Sequence, residues 1–137
     1  MRIAVIDGQG GGIGKAVVEK LKKAFGEKIE IVALGTNSLA TSMMLKAGAN
    51  EGATGENAIV YNCGRVDIII GSVSIICSNA FLGELTPAMA EAVSKSRTRK
   101  ILIPLNKYEI YICGNVNKPL PHYIDDAVEM VKEFGGE

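Results

Sequence analysis

The residues most able to do chemistry stand near the start of the chain. They read Asp7-Gly8-Gln9-Gly10-Gly11-Gly12-Ile13-Gly14-Lys15, and five of these nine are glycine. Glycine lets a backbone turn sharply and lets a ligand approach the main-chain N–H groups. An apolar run, Ile3 to Ile6, precedes the cluster. After it, Ile13, Val17, Leu21 and Phe25 recur every four residues with charged residues between them. A buried strand followed by an amphipathic helix is thereby predicted, with the glycines at the turn and the helix starting near Gly12. Such a turn offers an anion unsatisfied N–H groups and the positive end of the helix dipole. The expected ligand contacts are therefore Gly8, Gln9, Gly10, Gly11, Gly12, Ile13 and Gly14. The other reading of the cluster is a tight turn and close packing with no ligand. Asp7 is the oddity, because a carboxylate repels a phosphate. Three roles are open to it: a Mg²⁺ ligand, an acceptor for a ligand hydroxyl, or a cap on the loop's N–H groups.

Two patterns bear on what the loop holds. The spacing Gly8-x-x-x-Gly12-Ile13-Gly14 resembles the Gly-x-x-x-Gly-Ile-Gly fingerprint of short-chain dehydrogenases, and Val66-Asp67-Ile68-Ile69-Ile70 is similar to their fourth strand. That resemblance implies a dinucleotide such as NAD(P). It covers the first half of the chain only. The acidic residue that would bind ribose hydroxyls after the second strand is replaced by Gly35, Thr36 and Asn37. No tyrosine is followed four residues later by lysine: Tyr61, Tyr108, Tyr111 and Tyr123 lead to Arg65, Ile112, Asn115 and Ala127. The run Gly11-Gly12-Ile13-Gly14-Lys15 is also similar to the Gly-Gly-Val-Gly-Lys core of partition-type ATPases. There Ala16 stands in place of the Mg²⁺-holding hydroxyl and Gln9 in place of the opening glycine. The loop favours binding over either named reaction.

Other candidates are weaker. Gly35, Thr36 and Asn37 can offer hydroxyl and amide groups to a ribose or base, and Glu56 and Asn57 can do likewise or serve a helix start. Glu84 is the one charge between two apolar stretches. It reads either as a dipole-favoured residue beside a helix cap or as a general acid or base, and Asp7 is the second candidate for such a catalytic role. His122 reads as a surface residue, and Lys95, Arg97, Arg99 and Lys100 as a solvated helix end. Cys63, Cys77 and Cys113 form no Cys-x-x-Cys pair, and one histidine cannot complete a zinc set, so no metal site is expected.

The elements that must position these residues alternate. Strands are predicted over 3–6, 29–34, 50–53, 67–70, 101–105 and 109–113, with helices between them. Asn37 and its neighbours cap the second helix, Thr54 the third, and Thr86-Pro87 opens the fourth. Pro121 opens the last, with Asp125 and Asp126 near its positive end. Segment 72–85 is apolar without a period and reads as buried loop or interface. This order implies a Rossmann-like three-layer α/β/α fold with a mainly parallel sheet of about five or six strands. Its ligands would sit beyond the carboxyl ends of the strands. Residues 7–15, 35–37, 54–57, 71–74 and Asn106 would then surround one crevice.

Bulk properties narrow the partners. The 137 residues fit one domain, 1–137, with one core. Fifteen Lys plus Arg balance fifteen Asp plus Glu, and a neutral chain advertises itself neither to nucleic acid nor to an anionic membrane. No stretch approaches the roughly 18 apolar residues of a membrane span, and a cytoplasmic location is expected. The mean hydropathy of +0.20 suggests that a homo-oligomer covers apolar surface.

Most of the chain is similar to a small bacterial family of Rossmann-like proteins that carries a domain of unknown function. The resemblance rests on Met1-Arg-Ile-Ala-Val-Ile-Asp-Gly-Gln-Gly-Gly-Gly-Ile-Gly-Lys15, Ala33-Leu-Gly-Thr-Asn37, Lys46-Ala-Gly-Ala-Asn50, Gly52-Ala-Thr-Gly-Glu-Asn57, Gly83-Glu-Leu-Thr-Pro-Ala-Met-Ala90 and Ile101-Leu-Ile-Pro-Leu-Asn106. It implies a fold and no particular activity. Three functions follow for testing: a module binding a nucleotide or other phosphorylated small molecule, a small enzyme on such a substrate, and a structural oligomer whose loop is empty.

Overall fold

The computed structural model describes residues 1–136. Five strands, β1 (Arg2–Asp7), β2 (Glu30–Gly35), β3 (Glu51–Thr54), β4 (Ile68–Ser72) and β5 (Arg99–Ile103), form one sheet in the order β3-β2-β1-β4-β5. Every pairing is parallel. The helices are α1 (Gly12–Phe25), α2 (Ser38–Lys46), α3 (Glu56–Asn62), α4 (Pro87–Lys95) and α5 (Leu120–Val131).

Strand periodicity sorts the core into two layers. In β1, Ile3 and Val5 face one side, where Val17, Leu21 and Phe25 of α1, Met44 of α2 and Ile124 and Val128 of α5 cover them. Ala4 and Ile6 face the other side, against Ile59 of α3, Met89 and Val93 of α4, and Ile75, Phe81 and Leu85 of the β4–α4 connection. Burial on both faces explains why the central strands read as unbroken apolar runs. The chain winds outward from β1 through β2 to β3, then crosses to β4 and β5 on the opposite side. The order therefore reverses between β1 and β4, and a doubly wound sheet opens a crevice at that point.

The expected three-layer α/β/α architecture is present, with two corrections at the C-terminal side. Residues 109–113 form no strand. They belong to an irregular connection between β5 and α5, exposed throughout, so local β-propensity alone has no neighbouring strand to pair with. Asp125 and Asp126 lie beyond the first turn of α5 and form ion pairs with Lys20 and Lys118 instead of serving the dipole. At α3 the N-cap is Gly55, while the Thr54 hydroxyl lies 2.8 Å from that of Thr41. Asn37 and Thr86 do cap α2 and α4, accepting from the N–H of Ala40 and Met89. The buried-loop reading of 72–85 holds for half of its length, since Ile76, Ser78, Asn79, Leu82 and Gly83 are exposed. Val73–Ile76 form a 3-10 turn, and beyond it Ala80, Phe81 and Leu85 are buried.

Candidate functional site

The glycine cluster connects β1 to α1 at the β1–β4 switch point, beyond the carboxyl ends of the strands. The N-cap position of α1 is Gly11, which has no side chain to cap with. Asp7, at the end of β1, does this work from upstream. Its Oδ2 accepts the N–H of Gly14, the third residue of the helix, at 2.6 Å, and its Oδ1 accepts the N–H of Gly8 at 2.8 Å. A side-chain oxygen on the third helical N–H is the usual N-cap bond. The approach is close enough to require glycine. A Cβ on Gly14 would lie 2.7 Å from Met44 Sδ and 2.9 Å from Asp7 Cβ.

Asp7 is 4% exposed. Burial pushes its carboxyl above the ordinary value, the bonds from Gly14 and Gly8 pull against that rise, and the charge of Glu84 adds to it. Of the three roles open to Asp7, the structure displays the cap: both oxygens are engaged by loop N–H groups.

Other N–H groups of the turn remain unpaired. Gly11 donates to Gly8 O and Lys15 to Gly11 O. Those of Gly10, Gly12 and Ile13 make no hydrogen bond among the described residues. All three residues line a cavity of about 340 Å³, together with Asp7, Gly8, Gln9, Ser72, Ser74, Phe81 and the loop 105–108. Ser72 and Ser74 are 3% and 4% exposed, yet neither hydroxyl has a hydrogen-bond partner among the described residues. Every fully enclosed side-chain nitrogen or oxygen in the described chain does have one. The two hydroxyls therefore keep access to the space that they line.

On the other side of Gly8 the arrangement differs. Thr36 Oγ1, Asn37 Nδ2 and the N–H of Gln9 all donate to one atom, Glu84 Oε1, at 2.7, 2.9 and 2.9 Å. Asn37 Nδ2 also reaches Gln9 O at 3.0 Å. Burial raises the Glu84 carboxyl, but the bonds from Gln9, Thr36 and Asn37 outweigh it and hold the group below its ordinary value. Gly8 sits between the two halves: a Cβ there would lie 2.6 Å from both the Phe81 ring and Thr36 Oγ1.

The structure thus gathers residues 7–13, Ser72, Ser74 and Asn106 around one cavity and keeps Gly14, Gly35, Thr36 and Asn37 outside its lining: the Gly14 N–H is taken by Asp7, the Gly35 carbonyl accepts the Gly55 N–H, and the side chains of Thr36 and Asn37 turn to Glu84 and to the cap of α2. Residues 54–57 lie elsewhere: Glu56 accepts from Thr86 Oγ1 at 2.6 Å beside the start of α4. Lys15 is exposed and does not line the cavity. Phe81 and Tyr108 were missed by the sequence reading. Tyr108 Oη accepts the Phe81 N–H at 2.7 Å and so joins two distant connections over the cavity, a contact between residues 27 positions apart that no local pattern announces. Among the described residues no group of three or more His, Cys, Asp and Glu side chains is placed to hold a metal ion, and no helix is long and apolar enough to cross a membrane.

Fold and site define a doubly wound, all-parallel α/β protein with a glycine-rich turn and a cavity at the switch point of its sheet. Residues 2–135 match the model of the family described as Domain of unknown function (DUF3842), and the chain belongs to that family. No curated protein matches the chain significantly. Among solved structures, the chain is similar to a dodecameric FMN-dependent UbiX-like decarboxylase from Escherichia coli O157:H7, with 11% identity and a TM-score of 0.44 over 98% of this chain and 94% of that one.

Proposed function

We propose that this protein binds a nucleotide or other phosphorylated small molecule, with a phosphate seated on the free N–H groups of Gly10, Gly12 and Ile13. One observation carries this reading: three unpaired main-chain donors at the start of a 14-residue helix line a cavity at the sheet's switch point. Main-chain N–H groups at a helix start are good anion ligands. The hydroxyls of Ser72 and Ser74 supply further polar contacts, and the Phe81 and Tyr108 rings give a base or sugar an apolar wall. The size of the cavity lies at the small end of ligand pockets, which suits a compact ligand. Gly8 and Gly14 contribute through close packing. Asp7 stabilises the loop and does no proton chemistry in this reading.

Thermal denaturation in the presence of NAD(H), NADP(H), ATP, GTP, FMN and sugar phosphates tests it. A ligand at a hundred times its Kd adds about 2.7 kcal/mol. For a chain of this length that raises Tm by roughly 9 °C. No shift with any of these at millimolar concentration overturns the proposal.

A further inference from the structure

The three donors that converge on Glu84 come from two separate connections, β1–α1 and β2–α2, at the ends of neighbouring strands where Asp7 lies beside Gly35. Their acceptor comes from the β4–α4 connection, 75 residues from Gln9. All three bonds fall on Oε1, and Oε2 makes none among the described residues. A main-chain N–H, a hydroxyl and an amide aimed at one oxygen make a receptor for an acidic oxygen, and here the chain itself provides that oxygen.

The segment carrying Glu84 is held rather than relaxed. Phe81 and Leu82 have φ of 57° and 56°, and Gly83 follows at 91°. Two successive bulky residues in left-handed conformation are costly and persist only where surrounding contacts impose them. The turn closes on its own backbone bonds, Asn79 N–H to Leu85 O, Gly83 N–H to Asn79 O, Glu84 N–H to Phe81 O and Leu85 N–H to Ala80 O. It is tied to the rest of the fold by the Phe81 ring against Gly8, the Tyr108 hydroxyl on the Phe81 N–H, and the Glu84 carboxylate. Leu82, at the bend, is 95% exposed and anchors nothing.

We propose that Gln9, Thr36 and Asn37 form a second anion subsite, for a carboxylate or phosphate group of the ligand, in which Glu84 sits as a built-in competitor that the ligand displaces. The cavity on the far side of Gly8 and this subsite together would take a molecule with two acidic groups. This last step rests on the phosphate reading of the cavity; the subsite itself does not. Removing Glu84 also removes a negative charge from the mouth of the loop, where Asp7 already stands.

The experiment uses the full chain carrying Glu84→Ala, with acetate and inorganic phosphate as separate probes. Among the ¹H–¹⁵N signals, that of the Asn37 side-chain amide, which lies outside the cavity lining, reports the subsite; the Gln9 amide counts toward it only when it moves together with Asn37, because Gln9 lines the cavity as well. Those of Gly10, Gly12 and Ile13 report the cavity, so failure of one site is distinguishable from failure of the other. A competitor that fills the subsite most of the time masks affinity by the fraction left open, so binding at Gln9 and Asn37 should tighten roughly 10–100-fold over the native chain. Response to acetate alone identifies a carboxylate site, response to phosphate alone a phosphate site, and response to both a general oxyanion site; each supports the proposal. Adding Thr36→Val should abolish the gain. If a folded Glu84→Ala chain shows no response at Asn37 to either anion at millimolar levels, the proposal is overturned. Should Glu84→Ala fail to fold, Glu84→Gln keeps an acceptor oxygen without the charge, and binding no tighter than native then overturns it as well.

Discussion

Asp7→Asn separates a capping carboxylate from a reactive one. In the native chain both Asp7 oxygens are acceptors, one for Gly8 N–H at 2.8 Å and one for Gly14 N–H at 2.6 Å, and the group is almost wholly enclosed. Asparagine preserves the shape but has only one acceptor oxygen. Its amide nitrogen must face an N–H donor. Leaving one buried donor unsatisfied costs about 1–3 kcal/mol, and the surviving bond loses about 1 kcal/mol when its acceptor becomes neutral. Against this, a neutral amide escapes the burial penalty that raises the Asp7 carboxyl. A net loss of about 2 kcal/mol results. With an unfolding entropy of about 2.1 cal/mol/K per residue, the chain loses roughly 7 °C of Tm. Thermal denaturation followed by circular dichroism at neutral pH measures the loss, and amide exchange locates it, since the Gly14 N–H should lose protection. A Tm within about 1 °C of native, with Gly14 protection unchanged, refutes the capping assignment and returns Asp7 to the ligand or metal roles.

Three further outcomes follow from the same structure. Glu84 is held below its ordinary value when its segment is closed, so its contribution is present above the ordinary glutamate range and is lost as pH falls through the depressed value. Acid titration should therefore move the Gln9 and Asn37 amide signals before global unfolding, and signals that stay fixed until the whole chain unfolds contradict the assignment. Burial pushes the Cys63 thiol up to about 11, whereas Cys113 is exposed, so iodoacetamide on the native chain at neutral pH should label Cys113 and spare Cys63, as read by peptide mass spectrometry; equal labelling of both contradicts the packing around α3. The positive mean hydropathy and the exposed Tyr111, Ile112 and Val116 lead us to expect self-association, and sedimentation velocity returning a strict monomer at micromolar concentration removes that expectation.

Legibility in the sequence follows the range of the interactions. The central strands were readable because a strand buried on both faces must be apolar at every position, as Ile3 to Ile6 and Ile68 to Ile70 are. Helix starts were readable where a side chain caps locally, as at Asn37 and Thr86, and misplaced by a residue at α3, where Gly55 occupies the cap position. Residues 109–113, with Ile110, Tyr111 and Ile112 in succession, look like a strand, but strand formation needs a partner edge, and pairing is not written in the segment itself. Among the site residues, Asp7 was visible as an anomaly and its cap was one of three readings, because the bond to Gly14 spans a single turn. Glu84 was visible only as a lone charge. Its attachment to Gln9, Thr36 and Asn37 depends on how a segment with three consecutive left-handed residues folds back across the sheet, and no periodicity encodes that path.

The donors proposed for the ligand at Gly10, Gly12 and Ile13 belong to the polypeptide backbone, and a methyl group added at Gly10 or Gly12 would meet nothing within 4 Å. Substitution can therefore drift at these two positions without erasing the hydrogen bonds. Alanine at Gly10 or Gly12 would leave binding intact and give the false impression that these two positions are idle, whereas alanine at Gly8, Gly11 or Gly14 would disturb the turn by steric clash. Selective change has to act through the walls, Ser72, Ser74, Phe81 and Tyr108. On the proposed reading, a chain of this fold could change its ligand through those four positions while keeping the main-chain anchor, so ligand preference is better compared there than through the number of glycines in the turn.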